Sequence, residues 1–123
     1  MATHTNRISE TGLQNLAYMD DILIDADVDD DLTGSIDLSD WKLKGIIMPA
    51  AWTAADITLL GSHDDTTFNT IYNPQGTVYT LTVTTDSYVI IPLADSASFP
   101  RYLKIATSAG QAADRTLVLV LER

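Results

Sequence analysis

The sequence predicts an all-β protein: an antiparallel β-sandwich or jelly roll of about eight strands with an extended N-terminal arm. Three observations lead there. Short apolar or alternating runs recur about every ten residues from position 35 to the C-terminus. Turn-forming residues separate them. Helical periodicity nearly disappears after residue 33.

Residues 1–33 are polar and then acidic, and are expected to form an arm that orders on docking. Leu13, Leu16, Ala17 and Asp20 follow helical spacing, which allows a short helical turn. Such a turn is marginal without tertiary packing. The apolar residues Leu13, Leu16, Tyr18, Met19, Ile22, Leu23 and Ile24 of this arm are the candidate partner-binding residues.

The β-sandwich domain is expected over 34–123. Its strands are predicted at 35–39, 44–49, 56–62, 68–73, 78–84, 88–93, 101–107 and 116–122. In 78–84 one face reads Val, Thr, Thr, Thr and the other Tyr, Leu, Val. In 101–105 the faces are Arg/Leu/Ile and Tyr/Lys, whereas 116–121 is apolar on both faces, the pattern of a central strand. Asn73-Pro74-Gln75-Gly76 places Pro and Gly at the second and fourth positions of a turn. Thr85-Asp86-Ser87 and Ser108-Ala109-Gly110-Gln111 read as loops. The expected core is Ile46, Ile57, Leu59, Ile71, Leu81, Val83, Ile90, Leu103, Ile105, Leu117, Leu119 and Leu121, with Trp52 closing one end.

A length of 123 residues and 46% hydrophobic content suit one folded domain. With no cysteine, disulfides, thiolate metal sites and a Cys nucleophile are excluded. A net charge of −10 argues against nucleic acid and anionic membranes as partners, because phosphate neutralisation needs Lys and Arg. It favours a cationic partner surface. The N-terminus has no apolar signal-type region, and no apolar run approaches the ~20 residues needed to span a bilayer. Synthesis in the cytoplasm is the expectation.

Ser62-His63-Asp64-Asp65 contains the residue types of a nucleophilic triad. Sequence neighbours in an extended or turn backbone point apart, however, and the other histidine, His4, lies in the arm. A polar hairpin loop is the expected role. Asp25, Asp27 and Asp29 open like a calcium-binding loop, but its sixth position is Asp30 rather than Gly and its twelfth is Ile36 rather than Glu. A solvated charge run is expected, with a cation shared at a subunit interface as the alternative. Trp41, Trp52, Tyr72, Tyr79, Tyr88 and Tyr102 suit either core and subunit contacts or a sugar-stacking platform. No catalytic residue, cofactor or metal ligand is assigned.

From Ile46 to Arg123 several ordered pieces stand out: MPAAWTAADITLLGSHDDTTFNTIYN, VYTLT, YVIIPL, RYLKIATS and QAADRTLVLVLER. Together they resemble a group of small proteins encoded among the virion structural genes of tailed phages and prophages. That group's pattern is a strand ending MP, then W-x-x-A, then S-x-D-x-x-x-F, a RYLK strand and a closing Q-A-A-D-R-x-L-x-L-x-L strand. The GSHDDTTFNTIYN turn also resembles a discoidin-like jelly-roll hairpin, with Asp65 where that turn usually has Gly. The resemblance implies a non-enzymatic capsid decoration (cement) protein on the virion surface. Its implied partners are the major capsid protein and further copies of itself, a trimer being common for such proteins. A head-fibre, neck or tail component and a carbohydrate-binding module for host recognition are the alternatives.

Overall fold

A computed structural model describes residues 17–123. The elements in chain order are β1 (Ala17–Ile24), β2 (Ile36–Asp37), β3 (Lys42–Ile47), β4 (Ile57–Ser62), β5 (Asn69–Thr70), β6 (Thr80–Leu81), β7 (Tyr88–Ile90), the one-turn helix α1 (Leu93–Ser96), β8 (Tyr102–Thr107) and β9 (Arg115–Glu122). Two antiparallel sheets form a sandwich. The four-stranded sheet has the order β1-β9-β3-β7; in the five-stranded one, β2-β8-β4-β5, β6 also pairs with β4. All eight strands expected from the sequence are present, several of them shorter.

The ninth, β1, corrects the arm reading. From Ala17 to Ile24 the chain pairs residue by residue with β9, from Ala17 opposite Glu122 to Ile24 opposite Arg115. The stretch that follows is also tied to the sandwich. The Thr33 N–H donates to the Ile105 carbonyl at 2.9 Å, and the Thr107 N–H to the Asp31 carbonyl at 2.9 Å. Residues 17–33 therefore belong to the sandwich, and 34 is no domain boundary. The helical spacing of Ala17 and Asp20 is overridden by this pairing; Leu13 and Leu16 lie outside the described residues. The strand escapes a period-2 reading because Asp20 and Asp21 put one acid on each of its faces. An edge strand tolerates this, and an acid on the inner side of an edge discourages a further strand from adding there.

Between the sheets lie Ile24, Leu43, Ile46, Ile57, Leu59, Leu103, Ile105 and Leu117, all fully buried. Each such side chain contributes roughly 1.5–3 kcal/mol of burial. Ile71 and Val83 only pack against this core from its rim. Ile90 is a correction: it is 73% exposed, and Ile91, at 2%, takes the inner position. The run Tyr88-Val-Ile-Ile is apolar in both phases, so alternation does not choose between them. Pairing does, since Ile90 sits opposite Gly45, on the outer face.

The pairing of β3 with β9 slips between Leu43 and Gly45. This bulge lets Leu43 and Ile46, three positions apart, both face inward. Gly45 makes room for the Tyr88 ring, which a Cβ there would meet at 2.5 Å.

If β1 is an integral strand, Ile24→Ala lowers stability in urea by about 2–4 kcal/mol. Met19→Ala, on its outer face, changes stability by no more than about 0.5 kcal/mol. Small, equal effects of the two would return these residues to a loosely held arm.

Candidate functional site

Ser62, His63 and Asp64 come together as a turn rather than as a triad. The Ser62 hydroxyl donates to Asp64 Oδ1 at 2.8 Å and accepts the N–H groups of Asp64 and Asp65 at 3.2 and 3.0 Å. Asp64 Oδ1 also accepts the N–H groups of Thr66 and Thr67, both at 2.9 Å. These donors hold the Asp64 carboxyl down at about 2, with the backbone N–H groups of Thr67 and Thr66 acting most strongly and Ser62 next. Asp65 takes a left-handed φ of 60°, a conformation Asp adopts more readily than most residues. Its carboxylate also accepts the Ser35 hydroxyl. His63 stands exposed on the wall of a shallow groove of about 400 Å³ that also includes Thr67, Asn69 and Pro100.

The other motif residues are likewise structural. In W-x-x-A, the Trp52 indole N–H donates to the Ala55 carbonyl at 3.3 Å, and the ring packs against the core. In QAADR, Gln111 is 3% exposed. Its side-chain amide accepts from the Thr53 N–H at 2.9 Å and donates to the Thr53 carbonyl at 3.0 Å, as a paired strand residue would. Asp114 accepts the Ala26 N–H at 2.9 Å, and Arg115 reaches both Gln111 and Thr53 at 3.2 Å. In RYLK, Arg101 makes a two-pronged ion pair with Asp37 at 2.9 and 3.0 Å, closing β2 onto β8. Lys104 lies 4.6 Å over the Phe68 ring, so the F that ends the hairpin motif meets the K of RYLK.

Asp29, Asp30 and Asp31 bring carboxylate oxygens within 4.8 Å of one another on an exposed loop. Asp31 is held above its usual value, first by a hydrogen bond with Asp29, then by burial and by the charges of Asp29 and Asp30. The six aromatic side chains do not share one surface. Trp41 packs on Tyr18 with ring centroids 5.5 Å apart, and Tyr102 lies beneath Arg101 at 5.0 Å. Tyr72 and Tyr79, however, line one groove of about 520 Å³ together with Asn73, Asp95 and Phe99. There the Tyr79 hydroxyl donates to Asp95 at 2.7 Å. Partial burial first, and then this carboxylate, push the Tyr79 phenol well above its usual value.

The outer face of the four-stranded sheet carries several exposed apolar side chains. Its register places Met19, Val120, Gly45 and Ile90 in one row across all four strands. The next row is Asp21, Val118, Ile47 and Tyr88, and Leu23 lies beyond it beside Thr116. Met19 is 62% exposed, and Leu23 and Tyr88 are about half exposed. Val120, between Met19 and Ile90, is only 8% exposed, so the exposed apolar side chains lie on β1 and β7 at the two margins of the face, where an antiparallel sandwich is ordinarily polar. Among the candidate partner-binding residues, Met19 and Leu23 point onto this face. Tyr18 and Ile22 follow the inner side of the edge strand, and fully buried Ile24 belongs to the core. Sequence reasoning missed the face because half its members come from strands whose phase was ambiguous.

The turn at Asp64 has a measurable acid dependence. Because its carboxyl is depressed from 3.8 to about 2, its contribution is complete above pH ~3.8 and is lost as pH falls through about 2. Amide exchange at Thr66 and Thr67 should accelerate over that window in the wild type and lose the acid dependence in Asp64→Asn. A carboxyl of ordinary titration would show that the turn is not held this way. Comparison with protein-family models, with curated proteins and with solved structures gives no match to this chain.

Proposed function

We propose that this chain is a non-enzymatic virion structural protein of the capsid-decoration type, which binds the major capsid protein lattice and stabilises it through surface packing. The observation that supports the reading is the set of exposed apolar side chains, Met19, Leu23, Tyr88 and Ile90, on the outer face of the four-stranded sheet of a strongly acidic chain. The resemblance of the motif pattern to tailed-phage structural proteins supplies the class of particle. The acidic loop at 25–31 suits contact with a basic capsid patch, through charges rather than packing. On this reading the protein resides on the capsid surface, and Ser62, His63 and Asp64 serve the fold. Mass spectrometry of purified particles should find the chain in many copies. Its absence from intact particles overturns the proposal, and recovery only with tails or necks relocates it.

A second reading has its own observation. The groove between Tyr72, Tyr79 and Phe99 offers an exposed ring at Tyr72 beside the polar groups of Asn73 and Asp95, a combination suited to a sugar face. Binding on a glycan array that falls at least about tenfold in Tyr72→Ala, with the melting temperature unchanged, would favour host recognition. A silent array with folded protein removes that reading. Trp52 is not part of this groove, since its ring is engaged with the core.

A further inference from the structure

We propose that the groove between Tyr72, Tyr79 and Phe99 takes an arginine side chain presented by a partner protein, its guanidinium stacked on Tyr72 and hydrogen-bonded to Asp95. This rests on the assembly reading above and competes with the sugar reading for the same groove.

The chain builds this combination twice from its own residues. Arg101 lies over the Tyr102 ring at 5.0 Å and forks onto the Asp37 carboxylate at 2.9 and 3.0 Å. Arg123 lies over the Trp41 ring at 4.7 Å and reaches Asp40 at 3.4 Å. In each case one planar guanidinium is shared between a ring, on which it stacks, and a carboxylate, to which it hydrogen-bonds. The groove repeats the ring and the carboxylate without a cation of the chain. Tyr72 is 58% exposed. Among the described residues, no Lys or Arg lies over its ring or lines the groove, and Asp95 is the one charged residue in the lining.

Both groups are held in place before anything binds. Asp95 Oδ2 accepts the Tyr79 hydroxyl at 2.7 Å, and the Tyr79 ring meets Phe99 edge-on with centroids 5.6 Å apart. Asp95 Oδ1 accepts no hydrogen bond among the described residues. Tyr72 is fixed by its bridge to Val78, and next to it the Tyr79 N–H donates to the Ile71 carbonyl at 2.9 Å. A site ordered in this way loses little entropy on binding.

Charge and shape together select arginine. The carboxylate belongs to a chain of net charge −10, so the field over the groove attracts cations and repels anions. A lysine ammonium is a strongly hydrated point charge, whereas a guanidinium is flat and weakly hydrated, and stacks on a ring while it forks onto a carboxylate. Pro74, Pro100 and Ile71 supply an apolar wall for the methylene stem. A volume of about 520 Å³ is ample for one side chain.

NMR titration of the full chain with the peptide acetyl-Gly-Arg-Gly-amide tests this. Shift changes should centre on Tyr72, Tyr79, Asp95 and Phe99. Peptides with lysine or with citrulline in place of the arginine should each bind at least about tenfold more weakly. Citrulline keeps the shape and removes the charge, so that comparison needs no altered protein. Tyr72→Ala and Asp95→Asn should each weaken the arginine peptide at least about tenfold, with circular dichroism unchanged. Asp29→Asn/Asp30→Asn removes two charges outside the groove and should leave binding within about twofold of the wild type.

No shift changes at the groove, equal binding of the lysine or citrulline peptide, or a loss as large in Asp29→Asn/Asp30→Asn as in Asp95→Asn overturns the inference. So does a glycan that binds the groove when the arginine peptide does not. If the peptide binds as described but the chain is absent from particles, the arginine site stands and the virion reading falls. If the chain is found in particles but the peptide leaves the groove unchanged, the inference falls and the assembly reading stands.

Discussion

β9 is the strand on which the four-stranded sheet depends. All eight of its residues are matched by β1 on one side, and five by β3 on the other. Its alternate side chains divide the molecule: Leu117, Leu119 and Leu121 enter the core, while Val118 and Val120 form the middle of the outer face. The ladder joins Ala17 to Glu122, so it closes a loop spanning nearly the whole described chain. Closure entropy grows only slowly with loop length, so eight consecutive pairs can offset it. This pairing is non-local, and Ile24 ties β1 to the core that it helps to fill.

What the sequence shows clearly is the material that repeats at period 2 with one polar and one apolar face. β4 and β8 are of this kind, and their core residues were legible. β9 is apolar on both faces, and its central place followed from that. The failures have a common cause. In β1 the Asp20–Asp21 pair erases the alternation, and the pairing that rescues it involves a partner about a hundred residues away, outside any local window. In β7 four consecutive apolar residues leave the phase open, and the phase is set by the position opposite Gly45. The β3 bulge is equally hidden, since nothing local announces that Leu43 and Ile46 share a face. The outer sheet face inherits all three uncertainties, because β1, β3 and β7 build most of it. The candidate triad was easier to judge, since adjacent side chains on a turn diverge whatever the tertiary structure.

The residues that made the sequence look familiar are those that hold the loops in place. Ser62 and Asp64 cap one hairpin, Phe68 lies under Lys104, and Arg101 locks Asp37. Trp52 closes its own turn on Ala55, and Gln111 with Arg115 fastens the Thr53 loop. A buried amide such as Gln111 is costly to leave unpaired, so Gln111 and Thr53 must be placed together. These are constraints of the scaffold. They account for the motif residues of this chain without specifying what it binds.

Charge then explains how an exposed apolar face is compatible with solubility. The face's two acids, Asp21 and Glu122, and two lysines, Lys42 and Lys44, cancel, so the remainder of the chain carries the whole −10. Five of the 17 acidic residues are in the loop at 25–31 alone. These acids repel another acidic surface over a range set by a Debye length of about 8 Å at physiological salt. Like-charge repulsion is therefore weakest at the outward positions of the four-stranded sheet, the part of the surface where apolar contact costs least in electrostatic terms.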